Sequence, residues 1–215
     1  MTLRKFAAPA LLIALAACSN KGEIDVSAGG AGITAVRTAC PTVAVPANTG
    51  DITLFNPADS RDSSAIDVVA VLTNVRSTCD DSGETILTSI TFDVQARRTN
   101  TTDARDVTLP FFVTVLRGGS TVTAKQVGRV AVHFNAGQAR ASTSGTGTAS
   151  VSRAAATLPQ DVRDILTRKR KAGQEDAATD PLSQPEVRDA VANATFEALV
   201  GFQLTEDQLK YNATR

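Results

Sequence analysis

Alternation of apolar and polar side chains is the feature that most limits how this chain can fold. It is clearest in residues 90–97, where the apolar positions are Ile90, Phe92, Val94 and Ala96. Because successive side chains of a β-strand point to opposite faces, a period of two predicts a strand with one buried face. The pattern recurs in residues 107–116 and 121–134, and a β-branched apolar run at 66–75 indicates a central strand. Such strands need a second layer to cover their apolar faces.

Further strands are predicted in three shorter or weaker segments. Residues 51–55 and 196–204 are short apolar stretches, and residues 138–152 are rich in Ser and Thr and predict an exposed strand. Six or seven strands separated by turns predict a mainly β fold, specifically an immunoglobulin-like β-sandwich. The chain has no Trp and hence no Cys-Trp-Cys signature, so this prediction concerns architecture alone.

Two residues interrupt the strand patterns. Pro110 cannot donate a hydrogen bond to a neighbouring strand, so it predicts an edge position or a bulge for the strand at 107–116. Gly128 has no side chain to pack and predicts a bulge within the strand at 121–134.

Helical signals come late in the chain and predict a small helical insertion before the last strand, at about residues 159–194. Its first part carries apolar side chains at helical spacing, with acids early and bases late. Ser183 and Glu186 have the spacing of a capping box, which predicts a second helix. Thr205 and Gln208 have the same spacing and predict a final helical turn after the last strand.

Two of the three cysteines, Cys40 and Cys79, fall at or within the predicted domain. In an oxidising compartment, such a pair predicts a disulfide. The bond would close a loop of about 40 residues and contribute about 3–4 kcal/mol in the chain-entropy model. The alternative is two unpaired thiols. A metal site is not expected, because one His and two Cys do not supply the four ligands of zinc.

The N-terminal residues have the pattern of an export signal. Arg4 and Lys5 precede an apolar run of about a dozen residues, which is shorter than the roughly 20 that a transmembrane helix needs. The run closes with Leu15-Ala16-Ala17-Cys18, which resembles the lipobox of bacterial lipoproteins. The resemblance implies cleavage before Cys18 and attachment of lipid, including palmitate, to that cysteine as a membrane anchor. The alternative is an ordinary signal peptide that is cut elsewhere.

The chain is thereby divided into a signal peptide at residues 1–17, a flexible tether at 18–40 and the sandwich domain at 41–215. Ser19 follows the lipid-bearing cysteine. In the lipoproteins that the motif resembles, Asp at this position retains a protein at the inner membrane. The resemblance therefore implies a location at the periplasmic side of the outer membrane.

The charge of the chain argues against a nucleic-acid partner. There are 22 basic and 22 acidic residues, and loss of residues 1–17 removes only Arg4 and Lys5, which leaves a net charge of −2. Nucleic-acid binding depends on clustered Lys and Arg. The one dense basic run, at residues 168–171, is typical of a solvated helix end, with contact to anionic lipid headgroups as its alternative role.

Side chains suited to catalysis are scarce. His133 is the only histidine and lies in a predicted strand, where a surface role is expected. Nucleophile, phosphate-loop and dinucleotide motifs are missing from the sequence. Adjacent acids such as Asp80 and Asp81 point to opposite faces of a strand and do not form a shared site. We therefore expect neither enzyme activity nor a cofactor.

Three segments carry a family resemblance: Thr73-Asn-Val-Arg-Ser-Thr-Cys79, Phe111-Phe-Val-Thr-Val115 and Val200-Gly-Phe-Gln-Leu-Thr-Glu-Asp-Gln-Leu-Lys-Tyr-Asn212. They resemble an uncharacterised group of envelope lipoproteins of alphaproteobacteria, which implies an envelope location but no activity. The expected function is a lipid-anchored, non-catalytic structural or protein-interaction module that has another envelope protein as its partner. The alternative is a periplasmic carrier or sensor that binds an apolar ligand between the sheets or under the helices.

Overall fold

The computed structural model describes residues 38–168 and 179–215. The predicted lipid-bearing Cys18, the signal peptide at 1–17 and nearly all of the tether at 18–40 lie outside the described residues. Most of the basic run, at 169–171, also lies outside them.

Eight strands occur in the described residues. They are β1 (Thr42–Ala44), β2 (Asp51–Phe55), β3 (Ile66–Asp80), β4 (Thr85–Arg98), β5 (Arg105–Arg117), β6 (Thr121–Phe134), β7 (Arg140–Ser152) and β8 (Phe196–Phe202). Four α-helices accompany them: α1 (Arg153–Ala156), α2 (Gln160–Thr167), α3 (Pro185–Asn193) and α4 (Glu206–Thr214). Two short 3-10 turns cover Ser63–Ala65 and Pro181–Ser183.

The strands form two four-stranded sheets that enclose one core. One sheet has the order β1–β8–β5–β6 and the other has the order β2–β3–β4–β7. The strand pairs are antiparallel except for β1 with β8, which is parallel. The predicted mainly β, immunoglobulin-like sandwich architecture, with a small helical element before the last strand, is confirmed.

The apolar side chains of the alternating segments point inward and fill the space between the two sheets. In β4, Ile90, Phe92 and Val94 are fully buried, and Val200 and Phe202 of β8 are buried to the same extent. Strands β2 to β8 each contribute buried apolar side chains to one contiguous cluster. The residues that alternate with these buried ones face outward, so the polar residues of β4 lie on the outer surface of its sheet.

The edge position predicted from Pro110 is wrong, and the register shift of this strand lies at Val115 and Leu116, away from Pro110. β5 lies between β8 and β6, and Pro110 pairs in register with Arg129 of β6. The Pro110 carbonyl accepts a hydrogen bond of 2.9 Å from the N–H of Gln203, one residue beyond the end of β8. The N–H and carbonyl groups of a strand residue point toward the same neighbouring strand. The N–H that Pro110 lacks would therefore point toward Gln203, where the β5–β8 ladder has already ended.

The bulge predicted at Gly128 is also wrong. Gly128 pairs directly with Phe111 of β5, and the register shift between these strands lies instead at Val115 and Leu116. A Cβ atom on Gly128 would come within 2.5 Å of the Phe111 ring. The glycine therefore makes room for an aromatic ring in an uninterrupted strand.

Helices α2 and α3 lie in the predicted insertion and share a small apolar cluster. Its buried members are Leu158, Val162, Val187 and Ala194. The capping box predicted from Ser183 and Glu186 is wrong, because Gln184 is the N-cap residue of α3. The Ser183 hydroxyl instead donates to the Asp180 carbonyl at 2.6 Å within the preceding 3-10 turn. The capping box of Thr205 and Gln208 is confirmed at the start of α4.

A disulfide joins Cys40 and Cys79, as predicted. Cys40 lies just before β1 of one sheet, and Cys79 lies near the end of β3 in the other sheet. Cys40 also packs against the core. The bond therefore fastens the segment that enters the domain to the opposite sheet.

Candidate functional site

Helix α4 covers one edge of the outer surface of the β2–β3–β4–β7 sheet. The side-chain amide of Asn212 donates to the carbonyls of Asn48 and Asp51, both at 2.9 Å. Thr53 of β2 points away from the core but is only 2% exposed, because α4 lies over this strand. We call the remaining outer surface, on β3, β4 and β7, the open face.

An open groove of about 600 Å³ lies on the open face. We call it the arginine groove. Residues from three neighbouring strands line it, among them Val69, Val71, Gln95, Arg97, Arg140 and Ser142. In each strand these residues alternate with buried ones, as Gln95 and Arg97 alternate with Val94 and Ala96 in β4. Successive strand residues point to opposite faces, so the lining residues share the outer surface of the sheet.

Arg97 and Arg140 are direct cross-strand neighbours in the groove. The adjacent pair is hydrogen-bonded, since the N–H of Arg98 donates to the Ala139 carbonyl at 2.9 Å. Hydrogen-bonded and non-hydrogen-bonded pairs alternate along antiparallel strands, so Arg97 and Arg140 form a non-hydrogen-bonded pair, in which the side chains lie closer. Two like charges directly opposite each other destabilise a sheet. Neither guanidinium forms an ion pair with any residue in 38–168 or 179–215.

Asp93 is an acid of the open face whose carboxylate is already engaged. It accepts hydrogen bonds from the side-chain amide of Asn74 at 2.6 Å and from the hydroxyl of Ser144 at 2.8 Å. Asn74 lies at the register shift between β3 and β4 and has a left-handed backbone, with φ of 51°. The hydrogen bond from Asn74, followed by that from Ser144, lowers the pKa of Asp93 below its usual value. Both carboxylate oxygens of Asp93 are therefore engaged by Asn74 and Ser144.

Two further acids around the open face have other arginine partners. Asp67, two residues before Val69, pairs with Arg105 at 2.8 Å. Asp51 of β2 pairs with Arg215 beyond α4. Asp67 and Asp51 are thus paired with other arginines, while Arg97 and Arg140 line the groove.

This arrangement is suited to holding an anion beside an apolar group. Arginine offers a planar fork of N–H donors that matches a carboxylate or a phosphate. Val71 is 41% exposed and provides apolar surface on the neighbouring strand. Gln95 and Ser142, in the same row as Val71, add hydrogen-bonding groups beside the two arginines. The arginine, valine, amide and hydroxyl groups of the lining are together suited to binding.

His133, the only histidine, lies on β6 of the other sheet. Its Nδ1 is 2.7 Å from an Asp106 carboxylate oxygen, and its Nε2 is 3.3 Å from the Asn135 side-chain oxygen. The Asp106 hydrogen bond and charge, with the Asn135 contact, raise the pKa of His133 above 6.5. Since both ring nitrogens are engaged, His133 is a surface cross-strand partner, as expected from the sequence.

The site residues predicted from the sequence, Cys18, Cys40 and Cys79, do not belong to the arginine groove as the structure describes it. Cys40 and Cys79 are joined in the disulfide, whereas Cys18 lies outside the described residues. Among residues 38–168 and 179–215, no group of three or more His, Cys, Asp or Glu side chains is placed to hold a metal ion. No helix in this described part is long and apolar enough to cross a membrane.

Sequence reasoning missed the arginine groove. Arg97 and Arg140 are 43 positions apart, and only the pairing of β4 with β7 brings them together. The outward position of Arg97 follows from the alternation at 90–97, but the register of a distant strand does not. Comparison with protein-family models, with curated proteins and with solved structures finds no match to this chain.

Proposed function

We propose that this protein is a lipid-anchored, non-catalytic module of the cell envelope that binds another envelope protein through the arginine groove. Cys18 carries the lipid, and the sandwich faces the periplasm from the outer membrane. The single observation that carries the binding role is the groove itself, in which two cross-strand arginines without ion-pair partners in the described part of the chain lie beside exposed valine surface.

The disulfide supports a location outside the cytoplasm. Disulfides persist in oxidising compartments such as the periplasm and are rare in the reducing cytosol. The Cys40–Cys79 bond connects the two sheets, so it is part of the fold. Together with the Leu15-Ala16-Ala17-Cys18 motif, it favours an exported protein.

The packing of the core favours partner binding over transport of an apolar ligand between the sheets. The space between the sheets is occupied by side chains that include Phe92, Phe134 and Phe202, each fully buried. A ligand at that position would have to displace them, and close-packed interiors resist such displacement. The arginine groove, in contrast, is open to solvent without any rearrangement.

The anchor is tested by metabolic palmitate labelling and membrane fractionation of cells that express the full chain. Wild type and a Ser19→Ala control should incorporate label and sediment with outer membranes. A Cys18→Ala variant should lose the label and leave the membrane fraction. If that variant stays membrane-bound with unchanged mass, the proposed anchoring is wrong.

A further inference from the structure

We propose that the arginine groove binds an acidic segment of the partner protein, with its carboxylates on Arg97 and Arg140 and an adjacent apolar side chain on Val69 and Val71. This inference rests on the proposed function and specifies the chemistry of the partner.

The charge distribution is the first argument. Two guanidinium groups on directly opposed residues repel each other. A carboxylate placed between them converts this repulsion into charge-assisted hydrogen bonds. Asp93, Asp67 and Asp51 are engaged elsewhere, so these three acids of the described surface leave Arg97 and Arg140 available to an anion from a bound partner.

The polar and apolar lining argues for a polypeptide. Val71 and Val69 lie on β3, about 5 Å from β4, where Arg97 stands directly beside Val69. Adjoining side chains of one segment can therefore reach both surfaces. Gln95 and Ser142 also line the groove and offer donors and acceptors for peptide amides. A lipid tail, in contrast, needs an enclosed apolar cavity rather than an open polar-rimmed surface.

The groove is also of a size that suits a few residues. Its volume of about 600 Å³ lies within the range of natural ligand sites, roughly 300–1,000 Å³. The groove is bordered on one side by β2, which α4 covers, and on the other by the edge strand β7. A segment approaching from the β7 side meets Arg140 first and the valines last.

The test is site-specific photocrosslinking in living cells, with the anchored full-length chain. A photoreactive amino acid replaces Gln95 inside the groove and, as a matched control, the exposed Thr108 on the outer surface of the other sheet. We expect capture of a partner protein from position 95, with the crosslinked segment mapped by mass spectrometry to a stretch that contains Asp or Glu.

Charge reversal then tests the assignment. The double variant Arg97→Glu with Arg140→Glu should reduce crosslinking at position 95 by at least about tenfold, since like-charge contacts in an interface cost several kcal/mol. The double variant Arg97→Lys with Arg140→Lys keeps the charges and should retain most of the crosslinking. Replacing the acids of the mapped partner segment with Lys should restore capture by the Glu variant. Circular dichroism confirms that both variants fold.

The outcomes separate the inference from the proposed function. Capture at position 95 that is insensitive to charge reversal, or that maps to a segment without carboxylates, overturns the inference and leaves partner binding standing. Capture of a lipid instead of a protein overturns the inference and favours headgroup recognition. Capture from position 108 alone assigns partner binding to the other sheet. Capture from neither position contradicts both proposals.

Discussion

Phe92 and Phe111 meet edge to face across the core, with ring centroids 5.0 Å apart and an interplanar angle of 70°. Each ring also lies over a glycine that is its direct cross-strand neighbour, Gly145 for Phe92 and Gly128 for Phe111. The two sheets therefore contact each other through an aromatic pair that depends on small residues in β7 and β6. Edge-to-face aromatic pairs contribute about 0.5–1.5 kcal/mol beyond the burial of their surface.

Adding a methyl group under either ring should destabilise the sandwich. We expect Gly145→Ala and Gly128→Ala to lower the free energy of unfolding by about 1–3 kcal/mol, because the new Cβ would overlap a buried ring. Urea denaturation followed by circular dichroism measures this change. Gly83→Ala is the matched control, since its Cβ would meet nothing closer than 3.9 Å. Equal effects at all three positions would contradict the proposed packing role.

Arg97 and Arg98 are adjacent but should respond to substitution in opposite directions. Arg98 is 6% exposed and donates to four backbone carbonyls, those of Gln138, Asp103, Thr101 and Asn135. We expect Arg98→Gln to lower the free energy of unfolding by about 2–4 kcal/mol, because those carbonyls lose a charged donor.

Arg97→Gln should instead raise the free energy of unfolding by about 0.2–1 kcal/mol, because it removes the repulsion from Arg140. The gain should shrink in 1 M salt, where charges are screened beyond about 3 Å. Denaturation of both variants at low and high salt checks the prediction. A loss of stability for Arg97→Gln would mean that the arginine has a structural partner within the fold.

The single histidine allows a direct test of the surface pair of His133 and Asp106. The midpoint of its proton NMR titration should lie above 6.5, and Asp106→Asn should bring it back towards 6.5. Because the folded-state pKa is raised, the stabilisation by this pair is fully present below the unfolded pKa. It is lost as the pH rises through the folded-state value. A midpoint at or below 6.5 in the wild type would contradict the contact.

The disulfide should contribute more to stability than any single surface contact. Cys40 and Cys79 are separated by 39 positions, and closure of such a loop is worth about 3–4 kcal/mol in the chain-entropy model. We expect the double variant Cys40→Ala with Cys79→Ala to lose about that amount in urea denaturation. Reduced wild-type protein serves as the control and should match the variant. A difference below about 1 kcal/mol between oxidised and reduced protein would show that the bond does little for the folded state.

Sequence patterns predicted those parts of the fold that depend on local periodicity. The alternation at Ile90, Phe92 and Val94 predicts β4, and the capping residues Thr205 and Gln208 predict the start of α4, because both signals act between near neighbours. The sequence also led to the disulfide, since two cysteines in one domain leave a single possible pairing.

The capping box predicted at Ser183 lies one residue before the true N-cap, Gln184, which is a local error. The errors at Gly128 and Pro110 have another cause, because the role of each residue is set by a neighbouring strand. A glycine weakens a strand locally, so Gly128 predicts a bulge, yet its role is to accommodate Phe111 of the neighbouring strand. Pro110 predicts an edge position or a bulge, yet it lies in a central strand at the point where β8 ends. The arginine groove was missed for the same reason, because β4 and β7 meet only in the folded chain.

The placement of β8 has a consequence for how the protein is made. This strand lies between β1 and β5, so one sheet needs residues near both ends of the described domain before it can assemble. During the export proposed above, β1 and the edge of β5 that pairs with β8 must wait until residues 196–202 have crossed the membrane. Folding dominated by such distant pairings is slow, and unpaired strand edges stay exposed meanwhile. We therefore expect the chain to rely on chaperones until its last strand arrives.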